Sequence, residues 1–546
     1  MFSYIIKGGT IVDGSGSPAF RADVAITEGK IAALSTSGEL DYARAQRVVD
    51  AHGKVVCPGF IDMHSHSDLM VMNDPPPEPK VRQGVTTELL AQDGLSVAPV
   101  PPGQLELLQR LVSSLLGLPK VDWTWTSFAD YLAALDRAGM PVNSAVLVPH
   151  GPIRIAAMGM SARVATDVEL ATMERLLDEA LSAGGVGLST GMIYPPCSFA
   201  DDRELTALCR VAARHGGIFV IHLRNESELL IESIRETLAI AEESGVALHI
   251  SHLKAAGREA WPKVDEMLSL LHDAVARGLK VTWDQYPYTA GCTVLTATLP
   301  PWTLEGGTSA LLGRLASPAG RDRIKHEWAN SHLMSEAEKA ERGLTTWDNR
   351  GYTLGWDNIA ISSVKGEKNR WCQGLSVAEI ARRQGKSSED TIMDLLLDDD
   401  ADVNMILYHG NEERMKQIMA APQTIACTDG IYGGKPHPRL FGSYARLLGK
   451  YVRDEKVVPM EEAIRKATSL PARVLGLAGR GLLREGYAAD VVVFDPDKVI
   501  DRGTYEHPDI YPEGIDYVFV NGTLAVDGGA YTGARAGRAL VRHSPA

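Results

Sequence analysis

The stretch GGIFVIHLRNESELLIESIRETLAIAEESGVALHISHLK, Gly216 to Lys254, carries a strand, a helix and a second strand in one repeat. GGIFVIHLR and VALHISHLK are short apolar runs. Between them, LLIESIRETLAIAEESG spaces its apolar residues at helical intervals and ends on a glycine. The same rhythm recurs on either side, in DVELATMERLLDEALSAG before GGVGLST, ELTALCRVAARHG before GGIFVIHLR, and VDEMLSLLHDAVARG before LKVTWDQYPY. Strands alternating with helices of about 10 to 15 residues form βαβ units around a parallel sheet. So many units in one long chain predict an α/β protein built on a (β/α)8 TIM barrel.

Outside that region the texture changes. YIIKGGTIVD, ADVAIT, GKIAAL and RVVDAHGKVVCPG near the start are short β-type pieces separated by Gly, Asp and Ser turns, and AADVVVFDP and IDYVFVNGTLAVDGG near the end match them. The two ends are expected to pair into one small β-domain. From about Pro300 to Gly366 the β/α rhythm breaks into a segment rich in Trp, Gly, Arg and Glu, which reads as a helical insertion late in the barrel. Such excursions are often lids.

The 546 residues, 45% of them hydrophobic, can fill a large core. A formal net charge of -14 with no clustered Lys or Arg speaks against nucleic acid. The start lacks a basic, apolar leader, and no run of about 18 apolar residues occurs, so neither export nor membrane insertion is expected and the location is predicted to be cytoplasmic. Six cysteines without C-x-x-C spacing read as reduced structural thiols. The partner is expected to be a small molecule. The oligomeric state stays open, a homo-oligomer included.

Barrel chemistry sits at the C-terminal ends of strands. His222 ends one strand and His252 the next, one β/α repeat later, with His249 a strand-interior alternative. Upstream, PGFIDMHSHSD, Pro58 to Asp68, sets His64 and His66 two residues apart, on one face of a strand. An isolated H-x-H more often means solvated imidazoles than a metal, but four histidines at strand ends point to a metal site. TIACTDG adds Asp429 at another strand end, placed to move a proton between water and a leaving group.

With these residues in hand, the chain resembles the amidohydrolase superfamily and, within it, the N-acyl-D-amino-acid deacylases, or D-aminoacylases. The resemblance runs from IIKGGTIVDGSGSP through PGFIDMHSHSD, GVTTELLAQDG, GLSTGMIYPP, HLRNES, HISHLK, YPYTAG, CTDG, PHPRLFGSYARLLGKYVR and GYAADVVVFDP, and so covers almost the whole chain. It implies a metal-dependent barrel over 58–475, with the insertion at about 300–366, and a β-sandwich built from 1–57 and 476–546. It also implies hydrolysis of N-acyl-D-amino acids by water activated on one or two divalent ions. Zinc is expected, with Mn, Fe or Co as alternatives. His64 and His66 would hold one metal position, His222 and His252 the other, and Asp429 would be both ligand and general acid/base. Another C–N bond, in a cyclic amide or a D-residue dipeptide, is the alternative substrate, and a non-catalytic scaffold on the same fold is a third reading.

One departure stands out. Where the family's second strand ends in Asn-Cys-Gly with a metal-binding cysteine, this chain has AQDG, which puts Asp93 there. Asp93 reads either as a metal ligand or as the turn residue of an Asp-Gly pair. By motif, Lys254 and Arg439 resemble the family's carboxylate-binding pair, with Tyr194 and Tyr286 beside them. Cys292 stands where a serine is expected. His150 and His437 are further polar residues within family motifs, and Arg224 is expected to organise the rim with Glu226.

Overall fold

The computed structural model describes residues 1–38, 40–117, 119 and 121–542. Parallel strands carry the centre of the molecule. Val148–Pro149, Gly187–Gly191, Ile218–His222, Ala247–Ile250, Val281–Gln285 and Thr424–Ala426 pair in that order, every pair parallel. A second set, Phe60–Asp62, Val85–Leu90 and Asn143–Val146, is also parallel and takes the C-terminal pair Ala539–Leu540 on its edge. The two sets meet twice. Asn143–Val146 runs on into Val148–Pro149, and beyond the ends of Phe60–Asp62 and Thr424–Ala426 a parallel bridge joins Ser65 to Gly430.

The helices between these strands lie where the apolar spacing puts them, at Asp167–Ser182, Asp202–Arg214, Leu230–Ser244 and Val264–Ala276. Thr166 and Glu169 form a capping box on the first, Asp201 caps the second, and the third stops at Gly245, whose φ of 74° suits glycine. Their apolar faces meet the strands in one continuous core that includes Leu188, Phe219, Ile250 and Trp283. Each aliphatic side chain so buried contributes roughly 1.5–3 kcal/mol.

Both chain ends meet in a nine-stranded sheet among the described residues. The junction is Val55–Pro58 against Val491–Phe494, antiparallel, with Cys57 opposite Val492. Side chains alternate across it. Val491 and Val493 face one cluster with Ile6, Val24 and Phe519, whereas Val492 and Phe494 face another with Phe60, Val85 and Tyr444 that ties the sheet to the parallel strands.

The segment between Val281–Gln285 and Thr424–Ala426 holds the helices of the insertion and also an antiparallel sheet of Ala290–Val294, Val403–Tyr408 and Ile359–Val364. Its own core gathers Leu295, Trp328, Ile361 and Met405. Two of its strands, Ala290–Val294 and Val403–Tyr408, lie outside 300–366, so the departure from parallel β/α order is longer than the sequence predicts, because an apolar run looks the same in a parallel and an antiparallel strand. No described helix is long and apolar enough to cross a membrane.

Candidate metal centre

Six buried side chains converge beyond the C-terminal ends of the parallel strands. His64 and His66 follow Phe60–Asp62, Asp93 follows Val85–Leu90, His222 ends its strand, His252 follows Ala247–Ile250, and Asp429 follows Thr424–Ala426. His64 Nε2 and His66 Nε2 are 3.3 Å apart, and Asp429 Oδ1 lies 3.3 Å from the second and 3.7 Å from the first. His222 Nδ1 and His252 Nε2 are 2.9 Å apart. Asp93 stands between the pairs, 3.7 Å from both His64 and His66, 3.9 Å from His222 and 4.0 Å from His252.

Ligand nitrogens at 2.0–2.1 Å around a tetrahedral ion lie about 3.3 Å from one another, so the spacing of the first group suits a common cation. Asp93 Oδ1 is buried without a hydrogen-bond partner, as an atom awaiting such an ion would be.

The backbone is bent to make this cluster. Ala91, Asp93, His252 and Asp429 all have positive φ, at 63°, 57°, 32° and 51°. Such conformations cost on the order of 1–3 kcal/mol each and concentrate at functional sites. Gly94 completes the bend after Asp93 at φ 68°, with Cys197 Sγ 2.8 Å from where a Cβ would stand. Asp93 is thus the turn residue, and its carboxylate also faces all four histidines.

Other buried charges brace the cluster from behind. Asp284 Oδ2 accepts from His249 Nε2 at 2.8 Å and lies 3.8 Å from His64 Nδ1, while Oδ1 accepts the His252 amide at 2.6 Å. His249 thus faces Asp284 and Thr282 and stands outside the six. Lys80, fully buried, donates to Asp62 at 2.6 Å, Ser65 at 2.9 Å and Thr428 at 2.6 Å, pinning the strand of His64 to that of Asp429.

Electrostatics separate the six. Burial works to raise the Asp429 carboxyl, but Arg439 and His64 outweigh it and hold the group well below the usual range. Burial likewise opposes ionisation of Asp93, yet His64 beside it keeps it low. His222 is pushed down to about 3 by burial, with His252 and Lys254 beside it, and is neutral as a metal ligand must be.

The pocket above the cluster is lined by Tyr194, Lys254, Tyr286, Cys292 and Arg439, together with Glu226, Arg350 and His409. Arg439 stacks 4.5 Å from the Tyr286 ring centroid, donates to the Cys292 carbonyl at 2.9 Å and lies 2.9 Å from Asp429. Its Nε and Nη1 make no well-directed hydrogen bond. Tyr194 Oη pairs with Thr293 Oγ1 at 2.7 Å, and Tyr286 Oη lies 3.3 Å from His409 Nε2.

Sequence pattern does not single out Arg350, His409 or Asp284, and it points to Glu226 only as a rim partner of Arg224. The insertion and its sheet bring in Arg350 and His409, and local pattern does not disclose that pairing. Arg224 does not meet Glu226. Its guanidinium pairs with Glu236 at 2.7 Å, because Leu230–Ser244 carries that carboxylate back over it. His437 packs edge-on against Tyr288 and Tyr505 outside the pocket lining.

His150 is also structural, with Nδ1 2.9 Å from Thr190 Oγ1 and Nε2 2.8 Å from Glu204. Burial works to lower its pKa, but Cys197 and Glu204 raise it to about 9. A folded-state value above the ordinary 6.5 means that the bound proton stabilises fully below about pH 6.5, and that this contribution is lost as pH rises through about 9, on the order of 3 kcal/mol in all. Thermal unfolding from pH 6 to 10 should therefore fall more steeply for the natural chain than for His150→Gln. Parallel curves would refute the assignment.

A family model described as the amidohydrolase family matches residues 47–526, and the chain belongs to that family. Within it the chain groups with the N-acyl-D-amino-acid deacylases: a D-aminoacylase of Alcaligenes xylosoxydans xylosoxydans is 36% identical over 546 residues, covering 99% of this chain and 98% of the relative. A crystal structure of D-aminoacylase superposes with a TM-score of 0.81 at 34% identity, covering 99% of this chain and 100% of that one. An N-acyl-D-glutamate deacylase from Bordetella bronchiseptica, solved with zinc and a phosphonate mimic of the tetrahedral intermediate, superposes at 0.80 with 33% identity and the same coverage.

Proposed function

We propose that this chain is a divalent-metal-dependent amidohydrolase that cleaves N-acyl-D-amino acids to a carboxylate and a free D-amino acid. One observation carries the reading: two histidine pairs share Asp93 at strand ends, with Asp429 beside the first pair, in a chain alike end to end to D-aminoacylase. His64, His66, Asp93, His222, His252 and Asp429 are the proposed ligands, for zinc first and Mn, Fe or Co otherwise. A bound ion would polarise the scissile carbonyl and lower the pKa of water toward about 7.

The chain's own groups do the rest. Asp429, ionised beside Arg439, takes the water proton and returns it to the departing nitrogen. Lys254 and Arg439 fix the substrate carboxylate, with the planar guanidinium oriented by Tyr286 and the Cys292 carbonyl. Tyr194 and Tyr286 offer hydroxyls to the same end. The insertion, through Arg350, and the end of Val403–Tyr408, through His409, wall the pocket against water.

The proposed frame is a closed (β/α)8 barrel over 58–475 with the insertion at about 300–366, supported by the Ser65–Gly430 bridge between the first and last strands. Strands within 1–57 and 476–531 form the β-sandwich, supported by the inner cluster they share and by Tyr4 packing edge-on to Phe519, whereas Ala539–Leu540, in the segment 476–546 expected to join it, pairs with the barrel strand Asn143–Val146. Six buried cysteines, all free, support a reducing, cytoplasmic setting.

The test is amine release from paired N-acetyl-D- and N-acetyl-L-amino acids with acidic, apolar and aromatic side chains, in the presence of Zn²⁺, Mn²⁺ or Co²⁺. Turnover confined to the D series is expected. Equal turnover of both series, or turnover of cyclic amides alone, would refute the assignment.

A further inference from the structure

Each of His222 and His252 turns one ring nitrogen toward Asp93 and the other toward Glu226. His222 Nε2 lies 3.7 Å from Glu226 Oε2, and His252 Nδ1 lies 3.3 Å from Oε1. Glu226 is itself gripped from two sides. Lys254 Nζ is 2.5 Å from Oε1, and Arg350 Nη2 is 3.0 Å from Oε2. The insertion also fixes the loop that bears it, since Asp348 accepts Ser227 Oγ at 2.6 Å and the Glu226 amide at 3.4 Å.

Lys254 poses a problem for this arrangement. Its Nζ is 2.7 Å from His252 Nδ1, and an ammonium can only donate. If Nδ1 accepts from Lys254, the neutral ring carries its proton on Nε2, the nitrogen that faces His222 and Asp93, and no lone pair is left there for a metal. If Nδ1 carries the proton, it needs an acceptor on that side. Glu226 is the carboxylate that both rings face, 3.3 Å from His252 Nδ1 and 3.7 Å from His222 Nε2, which has no nearer partner, and it offers Lys254 another place to donate.

We propose that Glu226 is a positioning residue that sets the tautomers of His222 and His252, keeping their metal-facing nitrogens unprotonated against the competing Lys254 ammonium. It is not a ligand, because it lies on the ring edges opposite Asp93 and its oxygens already serve two cations. Arg350 and Asp348 hold it in register, so the insertion is coupled to the metal site as well as to the pocket wall. Carboxylates that orient ligating histidines are worth about 10- to 100-fold in metal affinity.

The inference rests on reading His222 and His252 as ligands, and the experiment separates the two. Zinc affinity and stoichiometry are measured by chelator competition on the full chain and on His222→Ala, Glu226→Gln and Glu226→Gln/Lys254→Met, with the Co²⁺ absorption spectrum as a second readout. Glu226→Gln should bind zinc about 10- to 100-fold more weakly with an altered Co²⁺ spectrum, because the amide puts a donor where acceptors are needed. Adding Lys254→Met should recover part of that loss.

Natural affinity and stoichiometry in His222→Ala would overturn the ligand reading itself. A loss there, with natural affinity in Glu226→Gln, would overturn only the role of Glu226. Loss of one ion per chain in Glu226→Gln, with any other ion held as before, would make Glu226 a ligand and overturn the tautomer role. If Glu226→Gln does not accumulate as folded protein, Lys254→Met alone decides: zinc affinity at or above the natural value supports the role, and weaker binding refutes it.

Discussion

Asp429→Asn is expected to lower turnover by about 10²- to 10⁴-fold, the range that a positioned proton-transfer group supplies. Asparagine keeps the shape of the side chain, and so most of its contacts, but cannot accept a proton at neutral pH. The carboxylate lies within 3.3–3.7 Å of His66 and His64, and Arg439 stands 2.9 Å away on its far side. That guanidinium is fully buried, so losing the charge opposite it should cost stability as well, on the order of 1–3 kcal/mol. The two effects are separable by measuring kcat on N-acetyl-D-amino acids alongside thermal unfolding of the same preparation. A folded Asp429→Asn chain with full activity would remove Asp429 from the chemistry.

How much of this was legible in the sequence depends on the range over which each feature is encoded. His64 and His66 announce themselves as a two-residue spacing right after an apolar run, although both lie just past the strand Phe60–Asp62 rather than on its face as the spacing predicts. His222 and His252 do so because one β/α repeat separates them and adjacent strands are parallel. Glu226 and Arg350 are 124 residues apart, and their contact depends on how the insertion folds back over the strand ends. Asp284 sits inside its strand and reads like any buried polar residue until His249, His252 and Cys427 are seen to donate to it. The pairing of Arg224 follows the same logic. A helix of ordinary amphipathic composition delivers Glu236, and nothing in HLRNES distinguishes that partner from Glu226.

Asp93 is where this chain departs from the pattern that the family resemblance implies, and its replacement is expected to act on the metal before it acts on the fold. Asp93→Ala leaves four histidines without the carboxylate they surround, and turnover should fall by about 10²-fold or more, since a ligand matters at least as much as the outer partners worth 10- to 100-fold. Asp93→Cys asks a sharper question. A thiolate is softer than a carboxylate and favours zinc over manganese, so the cysteine variant should shift the ratio of zinc to manganese affinity by about tenfold or more, ~1.4 kcal/mol, while keeping activity with zinc. The side chain has room for this exchange, because cysteine is smaller than aspartate and the left-handed turn is already closed by Gly94. The cost is that aspartate tolerates a positive φ better than cysteine does, so some stability is traded for the change in preference. Metal affinities by chelator competition, with zinc and manganese measured on the natural chain and both variants, check the point. An unchanged ratio in Asp93→Cys, with turnover intact in Asp93→Ala, would reduce Asp93 to a turn residue and leave the metal to the histidines and Asp429.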